Sequence, residues 1–304
     1  MKGRVFRSTG SWYSVKVGEQ FYNCRLRGKM RLDAEKVTNP VTVGDWVEIN
    51  LENEEEGVIQ KVVDRSNYII RKSTRKKKHS HRLAANIDQA AVIITLAFPR
   101  TSLGFIDRFL VACESFRIPA ILVFNKADLL DDAARAYYKE LKFDYEQLGY
   151  QVIMVSAETE EGMEIFQGLL KGKTTLLSGH SGVGKSTLLN LLAPGIDQKT
   201  SEVSEAVGKG THTTTFAEMF EVAADTYVID TPGIKELGLW DIGDEELSHY
   251  FPEMRKYIGQ CRFNNCTHIH EPNCAFRAAM ETGEIAPSRY ENYLSMLADD
   301  DNRR

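Results

Sequence analysis

Apolar and polar residues alternate with a period of two over 12–17 and 21–26, and again through 41–51 and 58–63. That is the pattern of strands with one face buried and the other wet. Turn formers, Gly18 and the Asn39-Pro40 pair, separate them. Several short strands packed into one stretch predict a small β-barrel of the OB type over residues 1–68. Trp12, Tyr13, Phe21 and Tyr22 fit two roles there, barrel core or a platform for stacked bases. Core packing is the expectation for any single one of them.

From residue 83 the pattern changes to strand, helix, strand. Unbroken apolar runs at 91–98, 120–124, 152–155 and 174–177 read as buried strands of a mostly parallel sheet, with helical patterns at 106–116 and 133–148 between them. This predicts an α/β domain over 83–238. Beyond it, over 239–304, the chain reads as helical and charged. Leu247, Tyr250, Phe251 and Met254 fall at helical spacing, and a last amphipathic helix carries Tyr290, Tyr293, Leu294 and Leu297 on one face. No internal repeat is visible.

Composition adds less. The apolar run near 90–98 is too short to span a bilayer, and no apolar leader follows Met1-Lys2-Gly3-Arg4, so a cytoplasmic protein is expected. Charge is more informative. Net charge is −5, yet residues 1–82 carry 18 Lys/Arg against 10 Asp/Glu, a net of +8, and the remainder carries 20 against 33, a net of −13. Part of the excess lies in 69–82, where Arg71-Lys72, Arg75-Lys76-Lys77-Lys78-His79 and His81-Arg82 read as a basic connector suited to phosphate contact.

The chemistry is concentrated in four motifs. Gly179-His180-Ser181-Gly182-Val183-Gly184-Lys185-Ser186-Thr187 fits G-x-x-x-x-G-K-[ST], after the predicted strand 174–177 and before a predicted helix over 187–192. Glycines there let backbone N–H groups converge on phosphate oxygens, and the helix N-terminus adds its dipole. Lys185 is placed to reach β- and γ-phosphates, and Ser186 to ligate Mg²⁺. Asn125-Lys126-Ala127-Asp128 closes the strand at 120–124 and reads as N-K-x-D. A carboxylate at Asp128 accepts two hydrogen bonds from guanine N1–H and its exocyclic amine. Adenine lacks that donor pair and would leave the carboxylate unpaired, at a cost of about 1–3 kcal/mol. Asn125 is expected to bridge base and phosphate loop, and Lys126 to lay its stem over the ring. Ser156-Ala157, after the next strand, supplies a small-residue contact to the base.

Asp230-Thr231-Pro232-Gly233 follows a predicted strand at 226–229 and fits D-x-x-G, with Asp230 holding Mg²⁺ through water and the Gly233 N–H facing the γ-phosphate. Between it and the phosphate loop lies Gly208-Lys209-Gly210-Thr211-His212-Thr213-Thr214, the place for a switch loop whose threonine ligates Mg²⁺. Thr213 and Thr214 are equal candidates. Ile234, after D-T-P-G, cannot orient water as a glutamine would. His212 is the candidate polar group for that role, beside the reading that it faces solvent or a partner.

N-K-x-D and Ser-Ala precede the phosphate loop, the reverse of the usual GTPase order, so the domain is circularly permuted. This order, the N-terminal barrel, and the run C-R-F-N-N-C-T-H-I-H-E-P-N-C over 261–274 resemble the RsgA family, also called YjeQ or YloQ, over essentially the whole chain. The resemblance implies a GTPase that assists late maturation of the small ribosomal subunit, binds near its decoding region and is stimulated by it. It also points to His212 for hydrolysis. The family often has a basic residue before the switch histidine, where this chain has Thr211.

Cys261, Cys266 and Cys274 with His268 offer three thiolates and an imidazole, a donor set for structural tetrahedral Zn²⁺. Spacing leaves His270 as a rival fourth ligand; the family pattern implies His268. Cys24 and Cys113 stand apart as buried thiols. The expected protein is a monomer that binds GTP/GDP with Mg²⁺, the small subunit and its rRNA. Two rivals stand beside it. One is an RNA-binding assembly factor that uses GTP only as a ligand, kept in view by Ile234. The other is a translation or membrane-traffic switch, disfavoured by the permuted order, the cysteine cluster and the lack of a lipidation signal.

Overall fold

The computed structural model describes residues 1–28, 40–72, 80–194, 217–231 and 242–298. The first five strands, β1 (Lys2–Ser8), β2 (Tyr13–Val17), β3 (Gln20–Leu26), β4 (Trp46–Leu51) and β5 (Glu56–Val62), pair in the order β1-β2-β3-β5-β4. β4 returns to β1 and closes the barrel, with β3 and β5 parallel and the other pairs antiparallel. Period two is visible in the burial: Tyr22 and Cys24 of β3, and Val47 and Ile49 of β4, point inward to meet Val5, Tyr13, Val15 and Ile59. The two aromatic pairs therefore divide. Tyr13 and Tyr22 are core, whereas Trp12 is 41% and Phe21 51% exposed.

β1 itself lacks a readable alternation, because Gly3 to Phe6 are all buried. Val5 fills the barrel, while Phe6 belongs to the core of the α/β domain. Arg4 lies between the Trp46 and Tyr227 rings and donates to Thr174 Oγ1 at 2.8 Å. A strand covered on both faces shows no polar side.

The basic segment is not a plain connector. β6 (Tyr68–Lys72) and β7 (Ser80–Ala85) pair as an antiparallel hairpin from Tyr68↔Ala85 to Lys72↔Ser80. Ile69 and Ala84 of this hairpin are buried in the α/β core. The charges mask two strands that are anchored by a few apolar residues. Lys76, Lys77 and Lys78 lie outside the described residues.

Six strands follow: β8 (Gln89–Ile94), β9 (Ala120–Phe124), β10 (Gln151–Met154), β11 (Thr174–Ser178), β12 (Glu218–Ala223) and β13 (Thr226–Asp230). Their order is β10-β9-β8-β11-β13-β12, parallel except for β12. β8 stops at Ile94 instead of running to residue 98, where Thr95 and Thr101 exchange hydrogen bonds across a turn. Helices α1 (Leu103–Ser115), α2 (Asp132–Gln147), α3 (Met163–Leu170) and α4 (Lys185–Leu192) connect the strands. Ser102 caps α1 and Asp131 caps α2, each accepting a backbone N–H at the third position. Apolar cores lie on both faces of the sheet.

One barrel–sheet pair, Arg7↔Glu218 between β1 and β12, joins the barrel to the α/β sheet. The C-terminal part comprises a 3₁₀ turn (Leu247–Tyr250), α5 (Pro252–Arg255), α6 (Ala275–Glu281) and α7 (Pro287–Leu297). Tyr290 and Tyr293 of α7 are buried, together with Met296, around Phe251, Met254 and Phe276. Val111 of α1 enters the same core. Beside it Arg289 of α7 pairs with Asp107 of α1 at 2.5 Å and with Glu253 of α5 at 2.6 Å. Tyr145 of α2 and Asn292 complete Asp107. Among the described residues, no helix is long and apolar enough to cross a membrane.

Candidate functional site

The carboxyl ends of β8, β9, β10, β11 and β13 converge on one edge of the sheet, the usual position for ligands in parallel α/β architecture. β11 ends at Ser178, and the chain turns through Gly179 to Gly184 before α4 begins at Lys185. Two glycines are required by contact as well as conformation. A Cβ on Gly179 (φ +144°) would lie 2.6 Å from the Ile93 carbonyl, and one on Gly184 (φ +95°) 2.4 Å from Asn125 Nδ2.

Asn125 is the clasp of the site. It is buried at the end of β9, where Nδ2 donates to the Val183 carbonyl at 2.8 Å and Oδ1 accepts the Ala157 N–H at 3.3 Å. One amide thus joins the N-K-x-D turn, the phosphate loop and the Ser-Ala turn. Asp128 accepts from Ser156 Oγ at 2.5 Å while its side of the turn stays exposed. Ser156 Oγ in turn accepts the N–H groups of Glu158 and Thr159. Lys126 takes a left-handed backbone conformation, and its ammonium donates to the Phe98 carbonyl at 2.9 Å. Arg135 of α2 supports the turn by donating to the Ala127 carbonyl at 2.9 Å.

On the phosphate side, Lys185 Nζ donates to the carbonyls of Gly179 and His180 at 2.6 and 2.8 Å, arching over the loop. Burial pushes its pKa down, opposed by the Asp230 charge. Asp230 terminates β13. Burial pushes its carboxyl up, Lys185 opposes this, and Glu218 adds to it. Its Oδ1 is buried with no hydrogen-bond partner among the described residues. An orphaned carboxylate oxygen beside a phosphate loop fits a hydrated Mg²⁺, which would satisfy it. Ser186 is half-buried at the first turn of α4, and Ser181 and Thr187 are exposed. The His180 ring lies 3.9 Å from that of Phe105 in α1, a support for the loop that no local motif signals. His212, Thr213, Thr214, Gly233 and Ile234 lie outside the described residues.

The second site is the cluster of Cys261, Cys266, His268 and Cys274, whose ligand atoms all lie within 4.8 Å of one another. Sulfurs around a tetrahedral Zn²⁺ with bonds of about 2.3 Å stand about 3.8 Å apart, so the donor set fits such an ion. His268 presents Nδ1, at 3.5 Å from Cys261 Sγ and 3.4 Å from Cys274 Sγ. Burial lowers its pKa to about 4, which keeps the imidazole neutral and its lone pair available. The ring stacks on Phe276 at 3.7 Å, and Tyr290 and Tyr293 donate to the carbonyls of His268 and Thr267. Glu271 shapes the turn. Burial raises its pKa, but hydrogen bonds from the Thr267 hydroxyl and the N–H groups of Thr267, Glu271 and His270 outweigh this and hold it down to about 2; the Ile269 N–H also donates to it. His270 is exposed and outside the cluster. Cys24 and Cys113 are buried free thiols.

Comparison with known proteins follows the same outline. A family model described as RsgA GTPase matches residues 62–240, and one described as RsgA N-terminal domain matches residues 2–59. A small ribosomal subunit biogenesis GTPase RsgA from Bacteroides fragilis is 50% identical over 300 residues, covering 98% of this chain and 97% of that protein. Its counterpart from Cytophaga hutchinsonii is 51% identical over 307 residues, covering 100% of each. Among solved structures, YjeQ from Thermotoga maritima aligns with a TM-score of 0.79 at 36% identity, covering 100% of this chain and 99% of that one. YloQ, described as a circularly permuted GTPase, aligns with a TM-score of 0.74 at 29% identity, covering 100% and 96%.

Proposed function

The chain belongs to the RsgA family of circularly permuted GTPases, and from that premise we propose that it hydrolyses GTP while assisting late maturation of the small ribosomal subunit, by direct contact with that subunit and its rRNA. It is a GTP-hydrolysing enzyme by family. The observation that carries the reading of its site is the Asn125 clasp, which brings three motifs in permuted order to one edge of the sheet.

Each site residue then takes a role in this reading. Asp128, oriented by Ser156, reads the guanine edge. The Lys126 stem covers the ring, and Ala157 packs against the base. The N–H groups of Gly179, His180, Ser181, Gly182, Val183 and Gly184, with the first turn of α4, receive the phosphates. Lys185 leaves the Gly179 and His180 carbonyls for the β- and γ-phosphate oxygens. Ser186, one of Thr213 and Thr214, and Asp230 through water would hold Mg²⁺, which would supply positive charge to neutralise the phosphates. Gly233 N–H is assigned to the γ-phosphate, Thr187 to nucleotide binding with the rest of the phosphate loop, and His212 to orienting the attacking water, a task Ile234 cannot perform.

The cysteine cluster carries one structural Zn²⁺. The working division is a barrel over 1–68, a basic segment over 69–82 (a hairpin in its described part), the GTPase domain over 83–238 and the zinc domain over 239–304. The protein acts as a cytoplasmic monomer. The test is GTP turnover titrated with purified small subunits and, separately, large subunits. Stimulation by the small subunit alone supports the reading, and equal response to both, or to neither, overturns the assignment of partner.

A further inference from the structure

Three strands at the seam between barrel and GTPase sheet carry a row of charge. Arg7 on β1 is the register partner of Glu218 on β12, and Glu218 is the register partner of Asp230 on β13. Directly opposed residues of an antiparallel pair project from the same face, with Cβ atoms about 4.5–5.5 Å apart. Glu218 therefore stands between a guanidinium, with which it forms an ion pair, and the carboxylate at the end of β13. Beyond Asp230 lies Lys185, whose charge acts on it. The row reads plus, minus, minus, plus. Its two carboxylates repel, and each has one cation to offset it.

We propose that Arg7, a residue of the barrel, is a positioning residue for the nucleotide site: by neutralising Glu218 it keeps an uncompensated negative charge away from Asp230 and from the phosphates bound beside it. The inference rests on the reading of Asp230 as the carboxylate of the magnesium site. It gives the N-terminal barrel a part in nucleotide binding that is independent of any contact between barrel and partner. The same seam supplies an internal control. Lys16 of β2 forms an ion pair with Glu221, also on β12. The β13 partner of Glu221, however, is Tyr227, at the other end of the strand. Both pairs tie the barrel to the GTPase sheet; only one of them borders Asp230.

The experiment is titration of the whole protein with fluorescent GDP, with and without Mg²⁺, at low and high salt. Arg7→Gln is expected to weaken GDP binding about two- to fivefold at low ionic strength, the range of a partly exposed charge pair. The deficit should shrink as salt shortens the Debye length. Arg7→Lys should bind as wild type. Adding Glu218→Gln to Arg7→Gln should restore affinity, since it removes the unpaired charge without rebuilding the bridge. Lys16→Gln should bind as wild type. Wild-type affinity in Arg7→Gln overturns the proposal. So does a double variant no better than the single one, or a Lys16→Gln defect of the same size, either of which assigns the loss to docking of the barrel. Asp230→Asn separates the two readings. If it keeps the wild-type Mg²⁺ dependence, the metal role of Asp230 falls and the inference with it. If it loses that dependence while Arg7→Gln is silent, the inference alone falls.

Discussion

The Asn125 side-chain amide donates a 2.8 Å hydrogen bond to the Val183 carbonyl, tying the N-K-x-D turn to the phosphate loop across 58 residues of sequence. Permutation has reversed the order of these motifs along the chain, yet the bond closes because both turns leave the same edge of the sheet. Asn125→Ala leaves the buried Val183 carbonyl and the Ala157 N–H without this partner, at about 1–3 kcal/mol. GDP affinity should fall about five- to a hundredfold. Competition binding checks it, and an unchanged Kd would separate the clasp from ligand binding.

Asp128 is set by Ser156 Oγ at 2.5 Å to present its carboxylate. Asp128→Asn replaces an acceptor with a donor and should shift preference from GTP towards XTP, whose purine carries an oxygen where guanine carries an amine. Turnover measured with both nucleotides decides. A variant that still prefers GTP by the wild-type margin shows that Asp128 does not read the base.

Protein purified without chelator should contain one zinc per chain by elemental analysis. Cys261→Ser, Cys266→Ser or Cys274→Ser should lose it, because three ligands hold a structural ion far less tightly than four. Nucleotide binding should survive, since the cluster lies in the C-terminal core, apart from the nucleotide edge of the sheet. His270→Ala, outside the cluster, should keep its metal. Absence of stoichiometric zinc in the wild type refutes the assignment.

Arg289 is almost fully buried and serves both Asp107 and Glu253. Arg289→Ala strands two buried carboxylates between α1 and the C-terminal helices. Breaking a buried pair from one side costs about 3–5 kcal/mol. The expected outcome is an unfolding free energy lower by that amount, from urea titration followed by circular dichroism. A shift under about 1 kcal/mol, the range of exposed pairs, would mean that water reaches the network.

Ile234 cannot polarise water, so the free protein should turn over slowly. His212→Ala should keep GTP affinity and lose most of the rate gained with small subunits. Neutralising Lys76, Lys77 and Lys78 should instead weaken subunit docking, and with it the steep salt dependence of stimulation, while sparing the basal rate. One kinetic grid over subunit and salt concentration tests both. Full stimulation of His212→Ala removes the histidine from the mechanism, and stimulation indifferent to salt and to the lysines removes the basic run from docking.

Much of the site is legible in the chain because its chemistry is local. A phosphate loop needs its glycines, lysine and serine within one turn, and N-K-x-D needs its residues within another. The same holds for four of the five barrel strands, where one wet face leaves a period of two. β1 escapes that reading because Phe6 and Arg4 face the GTPase domain while Val5 faces the barrel. The hairpin escapes it because each strand has only two buried apolar residues, Ile69 and Ile70 or Ala84 and Ala85, set beside a run of lysines and arginines.

The sequence by itself determined the nucleotide chemistry, the permuted order, the barrel and the Cys/His donor set. Each is written in contiguous residues whose types the chemistry demands. Tertiary structure alone decided what depends on partners far along the chain. It buried Tyr13 and Tyr22 and exposed Trp12 and Phe21. It packed the His268 ring on Phe276 and tied the His268 carbonyl to Tyr290. It set Arg7 of the barrel beside Glu218 of the GTPase sheet. Strand register between segments some two hundred residues apart is settled by the packing of whole sheets, and no short stretch of sequence records it.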